Sequence, residues 1–316
     1  MATFSILNRI KTDFLANLGN LGKCEVQIKN CIRLCIRLII HIKIELPDTQ
    51  FIGNTSKYKN ILMLTQKIAQ NYLRVAQNVA DACVAAQRSP ESVLLLVVSK
   101  THPMASVLAA YNAGARHFGE NYAQEGTAKI EALDEHSPEN QAIWHFIGPL
   151  QSNKSRAVAE YFDWVHSVDR LKIAQRLNEQ RPVSRAPLNI CLQVNIDDEA
   201  SKSGCSPEEA PALALAIAAL PNLHLRGLMA IPKAIDHAAP HTEQCAPFVA
   251  LSQLFSQIQS QLPPAQAAHF DTLSMGMSDD YQQAISSGST MVRIGTAIFG
   301  ARAYTAQTST TPDPKG

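Results

Sequence analysis

The sequence lacks the features that mark several common classes of protein. Its seven cysteines are scattered and form no CxxC pair, so neither a disulfide framework nor a zinc site is indicated, and a reducing cytosol fits best. The apolar stretch 31–43 is interrupted by Arg33, Arg37 and His41, whereas a transmembrane helix needs roughly 18 apolar residues in a row. The net charge of +1 gives no reason to expect a nucleic-acid or membrane partner.

Residues 1–62 differ in charge from the rest of the chain. They carry nine Lys or Arg against four Asp or Glu, whereas the remaining residues carry 19 against 23. An interfacial basic segment and an organellar presequence are both compatible with this composition. Our preferred interpretation is an N-terminal extension outside the fold. The folded domain would then span 63–303, and the tail 304–316, rich in Thr, Pro and Ser, would be disordered.

Strand-like and helix-like segments alternate through the domain. A helix is predicted first, over Leu64–Ala86, because apolar residues recur there at helical spacing. Eight strand candidates separated by helical patterns follow, at 94–100, 115–119, 143–148, 163–168, 188–196, 223–231, 269–275 and 291–299. Eight alternating units of this kind close a (β/α)8 TIM barrel of roughly 250 residues. The sequence therefore predicts an α/β fold, a single TIM barrel preceded by an N-terminal helix.

The first predicted strand, LLLVVSK, runs into a lysine, Lys100. A run this apolar is typical of a strand buried on both faces, and barrels collect their functional groups at the C-terminal ends of such strands. Partial burial would lower the pKa of Lys100 and leave a nucleophilic neutral amine. Taken alone, the stretch is more simply read as a strand followed by an exposed loop lysine.

The ends of the seventh and eighth strands are rich in Gly, Ser and Thr. Barrels often build a phosphate site there from backbone N–H groups and hydroxyls. A lysine facing such a site suggests that the protein holds a phosphorylated carbonyl compound as a Schiff base. Pyridoxal 5′-phosphate (PLP) and the sugar phosphate of an aldolase both satisfy this description, and the position of these residues at strand ends does not separate them.

A resemblance to a known family does separate them. Eight segments occur in order: VVSKTHP, HFGENYAQEG, WHFIGPLQSNKSR, VHSVDRL, VNIDDEASKSG, LRGLMAIP, LSMGMSDDY and MVRIGTAIFGAR. Together they resemble the PLP homeostasis proteins over about residues 63–303. That family is similar to the N-terminal barrel domain of alanine racemase and carries PLP on the lysine of the first strand.

The resemblance implies a set of PLP-binding residues and no metal-binding residue. Lys100 would hold PLP as a Schiff base, and Arg293 would point at the pyridine nitrogen. The phosphate would be held by Ser274, Ser278, Gly295 and Thr296, with Met275 shaping the site and Asn121 and Met229 lining the ring. Which of the two serines contacts the phosphate stays open.

The arginine distinguishes a carrier from an enzyme. Arginine donates a hydrogen bond but does not protonate the ring nitrogen, so the ring would be a weak electron sink. The resemblance also implies that a racemase would take its second base from a further domain, for which no segment follows the predicted barrel. We therefore expect a cytoplasmic PLP carrier, with no catalytic residue, that supplies apo-enzymes transiently. The alternative is a weak amino-acid racemase with an additional acid or base such as Tyr122 or His166.

Three further residues carry simpler interpretations. His145 and His166 are expected to be structural and hydrogen-bonded. Lys202 is expected to be a solvated loop residue, although with Gly204 it could form a second anion site.

Overall fold

Eight parallel strands close into a barrel. The computed structural model describes residues 55–197, 199 and 202–301. Each strand in that part of the chain pairs with the next, and the eighth pairs with the first. The strands are β1 Leu94–Val98, β2 His117–Glu120, β3 Ile143–Phe146, β4 Trp164–Val168, β5 Leu188–Gln193, β6 Leu223–Met229, β7 Thr272–Ser274 and β8 Met291–Ile294. The TIM barrel predicted from the sequence is confirmed.

Helices connect the strands and pack around them. They are α1 Thr55–Ala85, α2 Met104–Asn112, α3 Ala123–His136, α4 Ser155–Tyr161, α5 Leu171–Gln180, α6 Ala210–Ala218, α7 His241–Gln261, α8 Pro264–Ala267, α9 Tyr281–Ser286 and α10 Thr296–Phe299. A short 3-10 turn, Pro90–Ser92, leads into β1. Within the described residues, none of the helices combines the length and apolarity that crossing a membrane requires.

Helix α1 begins earlier than the sequence predicted. It runs without a Pro or Gly from Thr55, not from residue 64, so it starts within the segment expected to lie outside the fold. Its buried face is made by Ile68, Val75, Val79 and Cys83, which recur at helical spacing. Residues 1–54 and 302–316 lie outside the described residues, so the expected extension and tail stay predictions.

The core consists of two layers. The larger layer lies between strands and helices and includes fully buried phenylalanines such as Phe118 and Phe248. A small separate cluster contains Trp164, Cys191 and Met229, all from neighbouring strands, and faces the barrel interior. Burial of apolar surface at roughly 25 cal/mol per Å² makes the larger layer the main source of stability.

The eighth strand is shorter than predicted. The sequence placed a strand over 291–299, but β8 ends at Ile294 and α10 follows from Thr296. A short apolar run does not by itself distinguish a strand from a helix. The turn between them packs closely on β1, since a Cβ on Gly295 would lie 2.8 Å from the carbonyl oxygen of Val98. This contact brings the start of α10 beside the end of β1.

Candidate functional site

A cavity of about 560 Å³ opens at the C-terminal ends of the strands. This volume is within the usual range for small-molecule sites, about 300–1,000 Å³. The cavity is lined by Val98, Lys100, His102, Asn121, Ile147, Ile231, Met277, Ser278, Asp279, Arg293, Gly295, Thr296 and Ala297. These residues come from the ends of β1, β2, β3, β6, β7 and β8, so the fold gathers them from across the sequence.

The barrel closure brings Lys100 and Arg293 into this cavity together. Strand β8 pairs with β1 so that Arg293 lies opposite Leu96. Lys100 lies four residues after Leu96, just beyond the end of β1 and nearer the mouth of the barrel. It is partly buried. An amine and a guanidinium from two neighbouring strands therefore share one wall of the cavity.

Arg293 is buried and held by three hydrogen bonds. Only 5% of its surface is exposed. Its Nη1 donates to the carbonyl oxygen of Ser274 at 2.6 Å and to Ser274 Oγ at 2.8 Å, and its Nη2 donates to the carbonyl oxygen of Ala230 at 2.9 Å. Burial lowers the pKa of Arg293 to about 10, although attraction to Asp280 and Cys191 opposes this. The side chain is therefore still charged at neutral pH.

A chain of three histidines continues from Ser274 through the barrel interior. His166 Nδ1 lies 2.9 Å from Ser274 Oγ, His166 Nε2 lies 2.9 Å from His145 Nδ1, and His145 Nε2 lies 2.9 Å from His117 Nδ1. His145 and His166 are fully buried, as the structural role expected for them requires. The chain supports Arg293 from below through Ser274.

One set of proton positions satisfies every hydrogen bond along this chain. Ser274 Oγ accepts from Arg293, so every group is satisfied if Ser274 donates to His166 Nδ1. His166 then donates from Nε2 to His145, and His145 donates from Nε2 to His117. Burial, followed by repulsion from Arg293, lowers the pKa of His166 to about 3. His166 is thus neutral, with both ring nitrogens occupied.

The structure brings six of the predicted site residues together. Lys100, Asn121, Ser278, Arg293, Gly295 and Thr296 all line the cavity. Met229, Ser274 and Met275 are almost completely buried and do not line it. The sequence left open which of two serines would contact the phosphate. Ser278 faces the cavity, whereas Ser274 is hydrogen-bonded to Arg293 and His166.

Sequence reasoning missed several cavity residues. Met277 and Asp279 flank Ser278 in the segment LSMGMSDDY, so their proximity to it was the available signal. Ile147 and Ile231 lie one and two residues beyond the ends of β3 and β6. His102 lies on the cavity wall, where its ring stacks on Phe299 at 4.7 Å between centroids.

Other candidates from the sequence lie elsewhere. Tyr122 is 59% exposed and is not part of the cavity lining. Lys202 pairs with Glu199 at 2.7 Å and with Asp197 at 3.7 Å, so neighbouring carboxylates already offset its charge. The described residues contain no group of three or more His, Cys, Asp or Glu side chains placed to hold a metal ion.

Comparison with known proteins identifies the family. The model of the alanine racemase N-terminal domain matches residues 67–303. A pyridoxal phosphate homeostasis protein of Pseudomonas aeruginosa is 56% identical over 242 residues, which cover 77% of this chain and 99% of that protein. The chain belongs to the pyridoxal phosphate homeostasis protein family. A member from Escherichia coli is 52% identical, over 75% of this chain and 97% of its own.

Solved structures also resemble this chain, two of them at 35% identity, and a more distant barrel shares its fold. PipY of Synechococcus elongatus, solved with PLP bound, is 35% identical with a TM-score of 0.57, over 70% of this chain and 100% of PipY. A protein of unknown function from Bifidobacterium adolescentis has a TM-score of 0.69 at 35% identity, over 75% of this chain and 96% of its own. An alanine racemase from Bartonella henselae, 16% identical with a TM-score of 0.54 over 75% of this chain and 59% of its own, shares the fold.

The buried histidines predict a pH dependence of folding. Since the pKa of His166 is about 3 in the folded protein and about 6.5 when unfolded, the unfolded chain takes up the proton first as pH falls. The contribution of His166 to the free energy of unfolding is therefore present above pH 6.5 and decreases below it. At pH 5 it has fallen by about 2 kcal/mol. Urea unfolding measures this difference. Between pH 7.5 and pH 5, the free energy of unfolding of His166→Gln should fall by about 2 kcal/mol less than that of wild type.

The matched control is His136→Gln, which changes an exposed histidine on α3. It should retain the wild-type difference between the two pH values. Equal losses in wild type and His166→Gln would show that His166 is not held neutral in the fold.

Proposed function

We propose that this protein binds PLP in the cavity at the barrel mouth, with Lys100 attached to it as a Schiff base. In this proposal the protein acts in the cytoplasm as a carrier that buffers PLP and supplies apo-enzymes through transient contacts. The PLP-binding barrel would be residues 63–303, with the first turns of α1 preceding it. The observation that carries the proposal is the meeting of Lys100, Arg293 and a hydroxyl-rich strand end in one cavity.

The cavity residues fit the three polar parts of PLP. Lys100 would add its amine nitrogen to the aldehyde carbon, and formation of the C=N bond would release the aldehyde oxygen as water. Ser278 and Thr296 present hydroxyls in the cavity, and the close approach of Gly295 to Val98 sets Thr296 near the end of β1. Hydroxyls and backbone N–H groups are the donors that phosphate sites in barrels use.

Arg293 would make the third contact, to the pyridine nitrogen of PLP. Three of the five N–H groups of an arginine are engaged by Ser274 and Ala230, which leaves two for other partners. Because Arg293 remains charged at neutral pH, it would donate to the pyridine nitrogen and not accept a proton from it. PLP supplies an aldehyde in any setting, but it is a strong electron sink only when that nitrogen is protonated.

The racemase alternative is not favoured. Racemisation needs two bases on opposite faces of the substrate, and both candidates from the sequence lie outside the cavity lining. His166 is in addition neutral and fully hydrogen-bonded. Among the described lining residues, His102 lies only two positions from Lys100, so Asp279 is the one acid–base group left on another strand end. The naming of the relatives as homeostasis proteins also supports a carrier.

The proposed attachment point predicts a single labelled lysine. After incubation with PLP and borohydride reduction, peptide mapping should place the pyridoxyl group on Lys100. Lys100→Ala should abolish the label, because no other cavity residue in the described chain carries a primary amine. Lys202→Ala, which alters an ion-paired loop lysine, should retain it. A label on Lys202 or Lys233 in wild type would refute the assignment.

The proposed phosphate site predicts discrimination between PLP and pyridoxal, which lacks the phosphate. A hydrogen bond to a charged group contributes about 1.5–3 kcal/mol, so Ser278→Ala should weaken PLP at least about tenfold and leave pyridoxal unchanged. Ser274→Ala is the matched control, because it acts on both compounds through Arg293 and should change both affinities by the same factor. Titration by absorbance measures all six affinities, for wild type and the two variants with each compound. Equal binding of PLP and pyridoxal to wild type would rule out the phosphate site.

A further inference from the structure

The turn that carries Lys100 is locally strained. Ser99 N donates to the carbonyl oxygen of Gly119 at 3.0 Å, and His102 N donates back to the carbonyl oxygen of Ser99 at 3.1 Å. Between them, Thr101 has φ +65°, in the left-handed region that β-branched residues rarely adopt. Such a conformation persists only where the surrounding contacts hold it.

Three charged side chains from β2 and α3 supply those contacts. We call Glu120, Glu125 and Lys129 the brace. Lys129 Nζ donates to the carbonyl oxygen of Ser99 at 2.8 Å, and Ser99 Oγ donates to Glu120 Oε1 at 2.6 Å. The backbone N–H of Thr101 donates to Glu125 Oε1 at 2.6 Å. The residues on both sides of Lys100 are therefore fixed by the brace.

Lys129 joins the brace into one unit. Its Nζ also donates to Glu120 Oε1 at 2.8 Å and to Glu125 Oε1 at 2.7 Å. With the bond to Ser99, all three protons of the ammonium group are used. Glu120 is fully buried and Lys129 is 6% exposed, so water does not compete for the bond between them, whereas the side chain of Glu125 is 27% exposed.

Burying the charged groups of the brace costs free energy. Burial raises the pKa of Glu120, although Lys129 and Ser99 act in the opposite direction. Glu120 Oε2 is buried and finds no hydrogen-bond partner among the described residues. Apolar side chains of similar size often give equal or greater stability than a buried ion pair. Stability alone therefore does not explain the brace, whereas fixing the direction of the turn does.

We propose that Glu120, Glu125 and Lys129 are positioning residues that aim Lys100 at the aldehyde of PLP. The inference rests on the proposed function. When the phosphate and the ring are already held by other residues, bond formation depends on how the amine is oriented, and small misplacements are costly. The brace should thus act on the covalent step and not on recognition of the phosphate or the ring.

Two ligands separate these steps. PLP can bond to Lys100, whereas pyridoxine 5′-phosphate has the same ring and phosphate but an alcohol in place of the aldehyde. Their affinities are measured by titration for wild type, Lys129→Met and Ser99→Ala. The matched control is Glu131→Gln, also on α3, whose carboxylate accepts from Tyr161 Oη at 2.8 Å on the exposed surface.

Lys129→Met should weaken PLP at least about tenfold while changing pyridoxine 5′-phosphate by less than about threefold. Ser99→Ala, which removes one hydroxyl, should also weaken the binding of PLP. It is the deciding variant if Lys129→Met does not fold. Glu131→Gln should match wild type for both ligands. A proportional loss of both ligands, or no change in either, overturns the inference. Wild-type protein that binds neither ligand would instead contradict the proposed function.

Discussion

The pairing of β8 with β1 is the constraint on which the site depends. It closes the barrel and sets Arg293 opposite Leu96, so that a buried guanidinium lies below the turn that carries Lys100. The close packing of Gly295 on Val98 then directs the start of α10 towards the same turn. The proximity of the amine, the guanidinium and the hydroxyl-bearing strand end is thus a direct consequence of the closure of the barrel.

Burying a charge inside the barrel requires compensating polar groups, and these account for much of the interior. Arg293 is stabilised by backbone carbonyls and by Ser274, which is supported in turn by His166 and the histidines beyond it. An uncompensated buried charge would be strongly destabilising. A guanidinium held in this way is a fixed hydrogen-bond donor, which suits retention of a cofactor better than proton transfer at its ring.

The sequence allowed much of the fold and part of the site to be predicted. Continuous apolar runs with polar ends located the eight strands, and Lys100 and Arg293 were recognisable because each stands in a distinctive motif. The contact between His166 and Ser274 joins residues 108 positions apart and leaves no local signal. Lys129 likewise carries no local signal, because its burial depends on contacts with Glu120 of β2 and with the turn that follows β1.

The central claim is that the protein holds PLP and has little or no catalytic apparatus. Its most direct test compares, in one preparation in deuterated water, the rate of PLP transfer to an apo-enzyme with the rate of Cα–H exchange of added amino acids. The account predicts that transfer is the faster process and that Asp279→Asn leaves any residual exchange unchanged. Exchange at an ordinary enzymatic rate of about 1–10³ s⁻¹, lost in Asp279→Asn, would contradict it.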